Sequence, residues 1–380
     1  MSDRIQKIVT QLPNLKSVTK VWDAAEHSLA KGDAAFVADL GIALANRYGS
    51  SAAEVWQYWS VLDRLLRLLT TTPGQEHVEQ ALRLLSAAGS TKRKLARYAA
   101  SLLAAGQAPE NLIAVFAGRS SRAGASEELR MCLVHELVLR GVTIEKAPEI
   151  ERWATSSHWR HHPLAWLPLE LSALEETPPL PSHAVGGSSY SMPYGPQDGP
   201  GVTLGNVTHV PSATETTTEA FCEAAAAAVA NWAEESNGRS EAGTYDLAEP
   251  VEAGNLPDLL VTLGLECLNG VGPRKRLALT SCQPERAWHM LFAAASTGGA
   301  YNNGEYGAYG RLAAWRSLAA LSGAPTEAAV GEVERSAQAC DWYSFGAATK
   351  WFERVTWDIG LVSIAPGARR LAVLAATDTD

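Results

Sequence analysis

The feature that most constrains the fold is a change of pattern near residue 176. Before it, apolar residues recur at helical spacing and no stretch alternates as a strand would. Segments such as "SSAAEVWQYWSVLDRLLRLL", "TKRKLARYAASLLAAG" and "GASEELRMCLVHELVLRG" read as consecutive helices separated by Gly/Ser turns. Ser51 and Glu54 form a capping-box pattern, and Ser126 stands as an N-cap ahead of Glu127 and Glu128, with Gly141 at the stop. Residues 1–175 are therefore expected to form an all-helical array of HEAT-like stacked pairs, although no repeat of fixed period marks a true solenoid. Residues 176–215 ("EETPPLPSHAVGGSSYSMPYGPQDGPGVTLGNVTHVPSATE") are rich in Pro, Gly and Ser, the composition of a linker or long loop, with a short strand pair conceivable in "GVTLGNVTHV".

Residues 216–380 mix both periodicities. Thr216 and Glu219 make a second capping-box pattern, followed by the stripe Phe221, Ala225, Val229 and Trp232. "GTYDLAEPV" and "RLALTSC" read as strands, "LPDLLVTLGLECL" and "QPERAWHMLFAAAST" as helices, and "ERVTWDI" as a half-buried strand. "LVSIAPGARRLAVLAATDTD" reads as a hairpin turning at Pro366–Gly367. The expected class is α+β, mostly α: a stacked-helix array followed by a mixed α/β domain ending in a β-hairpin.

Composition excludes several kinds of function. A hydrophobic content of 46% is ample for a core without metal or disulfide staples. No apolar run reaches the roughly 18 residues of a membrane span, and "MSDRIQKIVTQLPNL" lacks the apolar region of a signal peptide. Five cysteines, odd in number and without a C-x-x-C pair, fit reduced thiols and a cytoplasmic setting. Charge is uneven. Residues 1–185 carry 20 Lys+Arg against 19 Asp+Glu, whereas residues 186–380 carry 12 against 22. An acidic second half argues against a nucleic-acid backbone as its partner, and "TKRKLAR" is a single basic helix face without a wider positive surface.

The richest stretch is "STGGAYNNGEYGAYGRLAAWRSLAALSG", residues 296–323. A helix is expected from about Tyr309 to Leu321, with Leu312, Trp315 and Ala319 on its buried stripe and Gly323 and Pro325 at its end. The glycines before it free the backbone for positive φ and close approach. Between them Tyr301, Asn302, Asn303, Glu305, Tyr306 and Tyr309 offer amides, hydroxyls, rings and a carboxylate, and Arg311 follows on the helix. These seven residues are the candidate ligand- or partner-binding set. The plainer expectation is that the tyrosines pack the loop onto the helix. A nucleotide site is disfavoured, because neither phosphate-loop fingerprint is present and Glu305 would repel phosphate. A cation at the start of a helix opposes the dipole, so Arg311 is expected to pair with a carboxylate: Glu305, or Asp378 and Asp380 of the terminal strand.

"TGGAYNNGEYGAYGRLAAWRSLAAL", "LGLECL" and the terminal "RRLAVLAATDTD" resemble the bacterial family designated domain of unknown function 6183. The resemblance covers mainly residues 240–380. It implies a family membership but no activity and no catalytic residue.

Other clusters are thinner. His158, His161 and His162 include an H-x-x-H spacing, without a further ligand at metal spacing. Cys132 with His135 reads as core, and Cys282 with His289 lacks the orienting group a nucleophile needs. Asp378 and Asp380 share one face of a strand and form the one weak metal candidate, with a frayed, solvated terminus as the plainer outcome. No cofactor is implied. The leading expectation is a protein-interaction or scaffold module; the alternative is an enzyme or small-molecule binder with its pocket under residues 298–311.

Overall fold

The computed structural model describes residues 3–50, 55–89, 93–116, 125–194, 202, 204–205, 209–271, 277–352 and 355–379. The class is α+β, mostly α, with the larger sheet confined to the C-terminal half. The chain divides into two compact units, and it passes between them more than once. One unit holds Met1–Ala165 and Pro181–Ser189; the other holds Trp166–Leu180 and Tyr190–Asp380. The Pro/Gly/Ser-rich stretch 176–215 thus contributes to both.

The first unit is built from α1 (Asp3–Gln11), α2 (Thr19–Ala30), α3 (Ala34–Tyr48), α4 (Trp56–Thr71), α5 (Gln75–Gly89), α6 (Arg93–Gly106), α7 (Ile113–Phe116), α8 (Glu127–Leu139) and α9 (Pro148–Ala154). Pairs such as α3 with α5 and α6 with α8 pack against each other. Asp33 caps α3 by accepting from Phe36 N at 2.9 Å, and Ser126 caps α8 by accepting from Leu129 N at 3.2 Å. The Ser51–Glu54 box lies outside the described residues. Composition disguises one element: strands β1 (Ser182–Ala184) and β2 (Gly187–Ser189) form a small antiparallel hairpin inside the linker-like stretch. It is held by His183, whose Nε2 is 3.1 Å from Ser101 Oγ and whose Nδ1 is 2.6 Å from Ser188 Oγ. Arg64 and Arg67 donate to the carbonyls of Val185 and Ala184.

The second unit contains β3 (Ala213–Glu215), α10 (Glu219–Ala225), α11 (Ala230–Glu235), β4 (Arg239–Leu247), α12 (Leu256–Thr262), β5 (Leu277–Cys282), α13 (Pro284–Thr297), α14 (Tyr306–Ser322), α15 (Val330–Ala339), β6 (Asp341–Ala347), β7 (Asp358–Ile364) and β8 (Arg370–Thr377). The strands form one antiparallel sheet in the order β3-β4-β8-β7-β6-β5. Leu371, Val373 and Ala375 face a core with Leu256, Leu259 and Leu260 of α12. The opposite face meets α13 and α14. Every residue of β7 is buried, as is β8 beyond Arg370, so these central strands show continuous apolar runs and no alternation.

Several local expectations shift. The cap of α10 is Thr218, which accepts from Phe221 N at 3.2 Å, and Thr216 instead donates its backbone N–H to Thr244 O. The alanine run is not one helix: it breaks after Ala225, where Ala228 N donates to Ser317 Oγ at 2.9 Å, a tertiary bond that overrides alanine's propensity. The strand read at "ERVTWDI" begins only at Asp358. In "GVTLGNVTHV", Val202, Leu204, Gly205, His209 and Val210 lie in no strand, and the other residues are outside those described.

Candidate functional site

The candidate loop joins two antiparallel helices of the second unit. Trp288, Leu291, Phe292 and Ala295 of α13 and Leu312, Trp315 and Leu318 of α14 are all buried. The helices approach closely at Gly310, where a Cβ would lie 2.7 Å from Ser296 Cβ. Helix α13 stops at Gly298 (φ 84°), and Gly304 also takes positive φ (61°). A side chain at Gly304 would meet the Ser296 carbonyl group at 2.7 Å. The glycine-rich sequence therefore serves close packing: the space it opens is filled by the protein's own atoms.

The loop is pinned from below. Asn302 Oδ1 accepts from Gly299 N (3.2 Å) and Gly304 N (2.9 Å), and its Nδ2 donates to Asn231 O (2.7 Å). Ala300 N donates to Asp378 Oδ2 at 2.6 Å, and Tyr301 N donates to Ser236 Oγ at 3.2 Å. Glu305 N donates to Ala295 O at 2.9 Å. Trp232 and Asn231 of α11 add Nε1 and Nδ2 bonds to the carbonyls of Ala294 and Ala295. Burial raises the phenol pKa of Tyr194, which stands against Trp232.

The proposed set of seven residues is thereby split. Tyr301 is 61% exposed and Asn303 is also exposed. Glu305, Tyr306 and Tyr309 are half-buried, and Tyr306 opens α14 with a positive φ of 60°, a costly conformation for an aromatic residue. Asn302 is the loop's internal brace.

Arg311 belongs elsewhere, and the partners expected from sequence are corrected. It is fully buried and pairs with Glu175, through Nε to Oε1 and Nη2 to Oε2, both at 2.6 Å. It also donates to the carbonyls of Pro168 and Glu170, each at 2.8 Å. Glu175 Oε1 further accepts from Trp315 Nε1 at 2.6 Å, and Oε2 accepts from Ser172 N at 2.9 Å. The helix begins three residues earlier than expected, so Arg311 sits in its second turn, facing the core. The remote Glu175 carries no sequence signal beyond the Ser172–Glu175 capping-box spacing, which the structure forms.

Asp378 is not a frayed end either. It is fully buried, braces the loop at Ala300, and accepts from Thr379 N at 2.9 Å. Asp380 lies outside the described residues. Among the described residues no group of three or more His, Cys, Asp or Glu is arranged to hold a metal.

The remaining clusters make contacts within the fold. His158 and His162 face Glu127 and Glu128, each at 3.4 Å, rather than each other. His135 Nε2 stands 2.9 Å from Leu164 O. Burial pushes the Cys282 thiol up to about 11 despite Arg286, which removes the thiolate a nucleophile requires, and His289 is engaged by Glu176 O. All five cysteines are free, and among the described residues no helix is long and apolar enough to cross a membrane.

One unit is helical and the other layers a six-stranded antiparallel sheet between helices, which defines a mostly α, two-unit protein whose loop 298–305 is braced by Asp378. The chain belongs to the family of unknown function DUF6183, whose model matches residues 19–380, well beyond the stretch that carries the sequence resemblance. No curated protein and no solved structure matches it.

Proposed function

We propose that this chain is a protein-interaction module whose loop 298–305 presents a preformed recognition surface centred on Tyr301. The observation that carries the reading is a contrast within three residues. Tyr301 exposes its ring, yet the amides of Ala300 and Tyr301 and the side chain of Asn302 are all tied to the fold. A rigid loop offering an aromatic ring with a polar tip suits a binding anchor, because little backbone entropy remains to be lost on contact. Asn303, exposed beside it, adds an amide for directional bonds.

The test replaces Tyr301 by a photo-crosslinking phenylalanine analogue in the expressing cell, with the same analogue at exposed Ile113 as control. A discrete adduct from position 301 that is absent from position 113 supports the reading. Identical adduct patterns from both positions, or none from 301, defeat it. Asn302→Ala is a poor probe of binding, since it removes three bonds that hold the loop.

A further inference from the structure

A second surface of the same unit carries chemistry that the Tyr301 loop does not. Beside β3, the short outer strand of the sheet, lies a groove of about 360 Å³. Val210, Pro211, Ala213, Glu215, Tyr245 and Leu263 are among the residues that line it. Its size is that of a small ligand site or a pocket for one or two side chains.

The strand's register decides what its edge offers. Ser212 O accepts from Ala248 N (3.0 Å), and Thr216 N donates to Thr244 O (2.8 Å). The even-numbered residues therefore turn their amides toward β4. In an antiparallel ladder their neighbours Ala213 and Glu215, which also line the groove, then turn N–H and C=O away from β4. Such an edge is a template for another strand.

The electrostatics select the strand. Glu215 is exposed, and its carboxylate makes no hydrogen bond or ion pair among the described residues. Its register partner Tyr245 lays its hydroxyl over Gly243, where a Cβ would be 2.8 Å away. Burial, then Glu215 and Glu241, push that phenol up to about 12, so it stays protonated and available as a donor. Glu241 is itself occupied by the amides of Glu266 and Cys267. Among the described residues lining the groove, none is basic and Glu215 is the one carboxylate. A cation entering this groove finds the Glu215 carboxylate, which has no ion-pair partner among the described residues.

We propose that this groove binds an extended basic segment of a partner protein, its main chain pairing with Ala213 and Glu215 on the open edge of β3 and a Lys or Arg side chain reaching Glu215 beside the Tyr245 hydroxyl. The contact is short, so the affinity is modest and salt-dependent. The site is separate from the Tyr301 loop and does not rest on it.

The test uses the full chain and fluorescence anisotropy with a labelled, capped hexapeptide of alternating Arg and Val, with the Glu/Val peptide as control. Glu215→Gln is expected to weaken binding of the basic peptide about tenfold or more. Ala213→Pro, which removes an outward N–H while sparing the bonds to β4, is expected to weaken it similarly. Glu249→Gln, outside the groove, and Tyr301→Ala are expected to leave it unchanged. Binding within about twofold of wild type in both Glu215→Gln and Ala213→Pro would mean diffuse adsorption to an acidic surface and overturn the proposal. So would equal binding of the Glu/Val peptide, or no binding of the basic one at about 1 mM. Should Ala213→Pro unfold the protein, Glu215→Gln alone decides, since it alters one exposed charge.

Discussion

Replacing Glu175 by Ala tests the centre of the second unit. Four donors converge on this carboxylate: Arg311 Nε and Nη2, Trp315 Nε1 and Ser172 N, at 2.6 to 2.9 Å. Glu175 and Arg311 are both fully buried, so solvent screening does not soften the change. Deleting the carboxylate leaves the buried guanidinium, still bonded to the Pro168 and Glu170 carbonyls, without its countercharge, and leaves the Trp315 indole N–H without this acceptor. Breaking one side of a buried pair costs about 3–5 kcal/mol. For a unit of this size each kcal/mol lowers Tm by about 2–4 °C, so a fall of about 6–20 °C is expected. Thermal unfolding followed by tryptophan fluorescence reads it directly. The double variant Glu175→Leu/Arg311→Met separates charge from packing. It removes the uncompensated cation, so it should lie closer to wild type than Glu175→Ala, short of full recovery because Trp315 Nε1 and two carbonyls lose partners. If Glu175→Ala costs less than about 1 kcal/mol, or the double variant loses the sum of both single changes, the pair is not coupled as the geometry demands.

Four further outcomes are expected. Gly310→Ala should cost about 1–3 kcal/mol by overpacking α14 against Ser296, measured by urea unfolding; a neutral change would show that the helices can part. Asp378→Ala should speed hydrogen exchange at the Ala300 amide about tenfold or more, and unaltered protection would remove Asp378 as the loop's brace. Acid should weaken the first unit through His183: burial first, then Arg140 and Arg67, with Asp63 opposing, lower its pKa to about 4. The unfolded chain therefore takes up the proton first, and stability held above pH 6.5 is lost as pH falls toward 4, by at most about 3 kcal/mol; His183→Gln should flatten that part of the curve. Limited proteolysis should cut first within residues 176–215, and first cuts within α4–α6 would contradict two separately folded units.

What the sequence made legible follows from range. Helices and caps are local, so Ser126, the Pro284 start of α13 and the Gly323 end of α14 could be read from neighbours alone. The Gly323 cap takes its left-handed conformation at φ 68°, as its residue type invites. Strands buried on both faces lose their alternation, which hid where β7 begins. Strand β6 carries little strand signal, because "DWYSFGA" alternates in burial only at its start. The position of Arg311 marks it as a cation in need of a carboxylate, but Glu175 lies 136 residues away, and no local rule can reach it. The hairpin β1–β2 was masked by a composition typical of linkers, because what fixes it is a tertiary contact with Ser101 and Arg67.

The loop's glycines bear on two different questions, and the structure answers them separately. Gly304 and Gly310 are required by packing, since each would collide with Ser296 if it carried a side chain. Gly299 is required by the brace, because a Cβ there would fall on Asp378 Oδ2. None of the three needs a ligand to explain it. What packing does not explain is Tyr301, which is held out by a backbone with at least two tied amides. A flexible loop would lose about 1–2 kcal/mol of backbone entropy per residue on binding, whereas this one has lost that on folding. The remaining cost is one side chain's rotamer freedom, about 0.5–1.5 kcal/mol. Tyr301→Ala should therefore leave Tm within about 2 °C, because an exposed ring contributes no more than about 0.5 kcal/mol to the fold. A larger loss would show that the ring is a packing element and that the loop's exposed face is not where a partner sits.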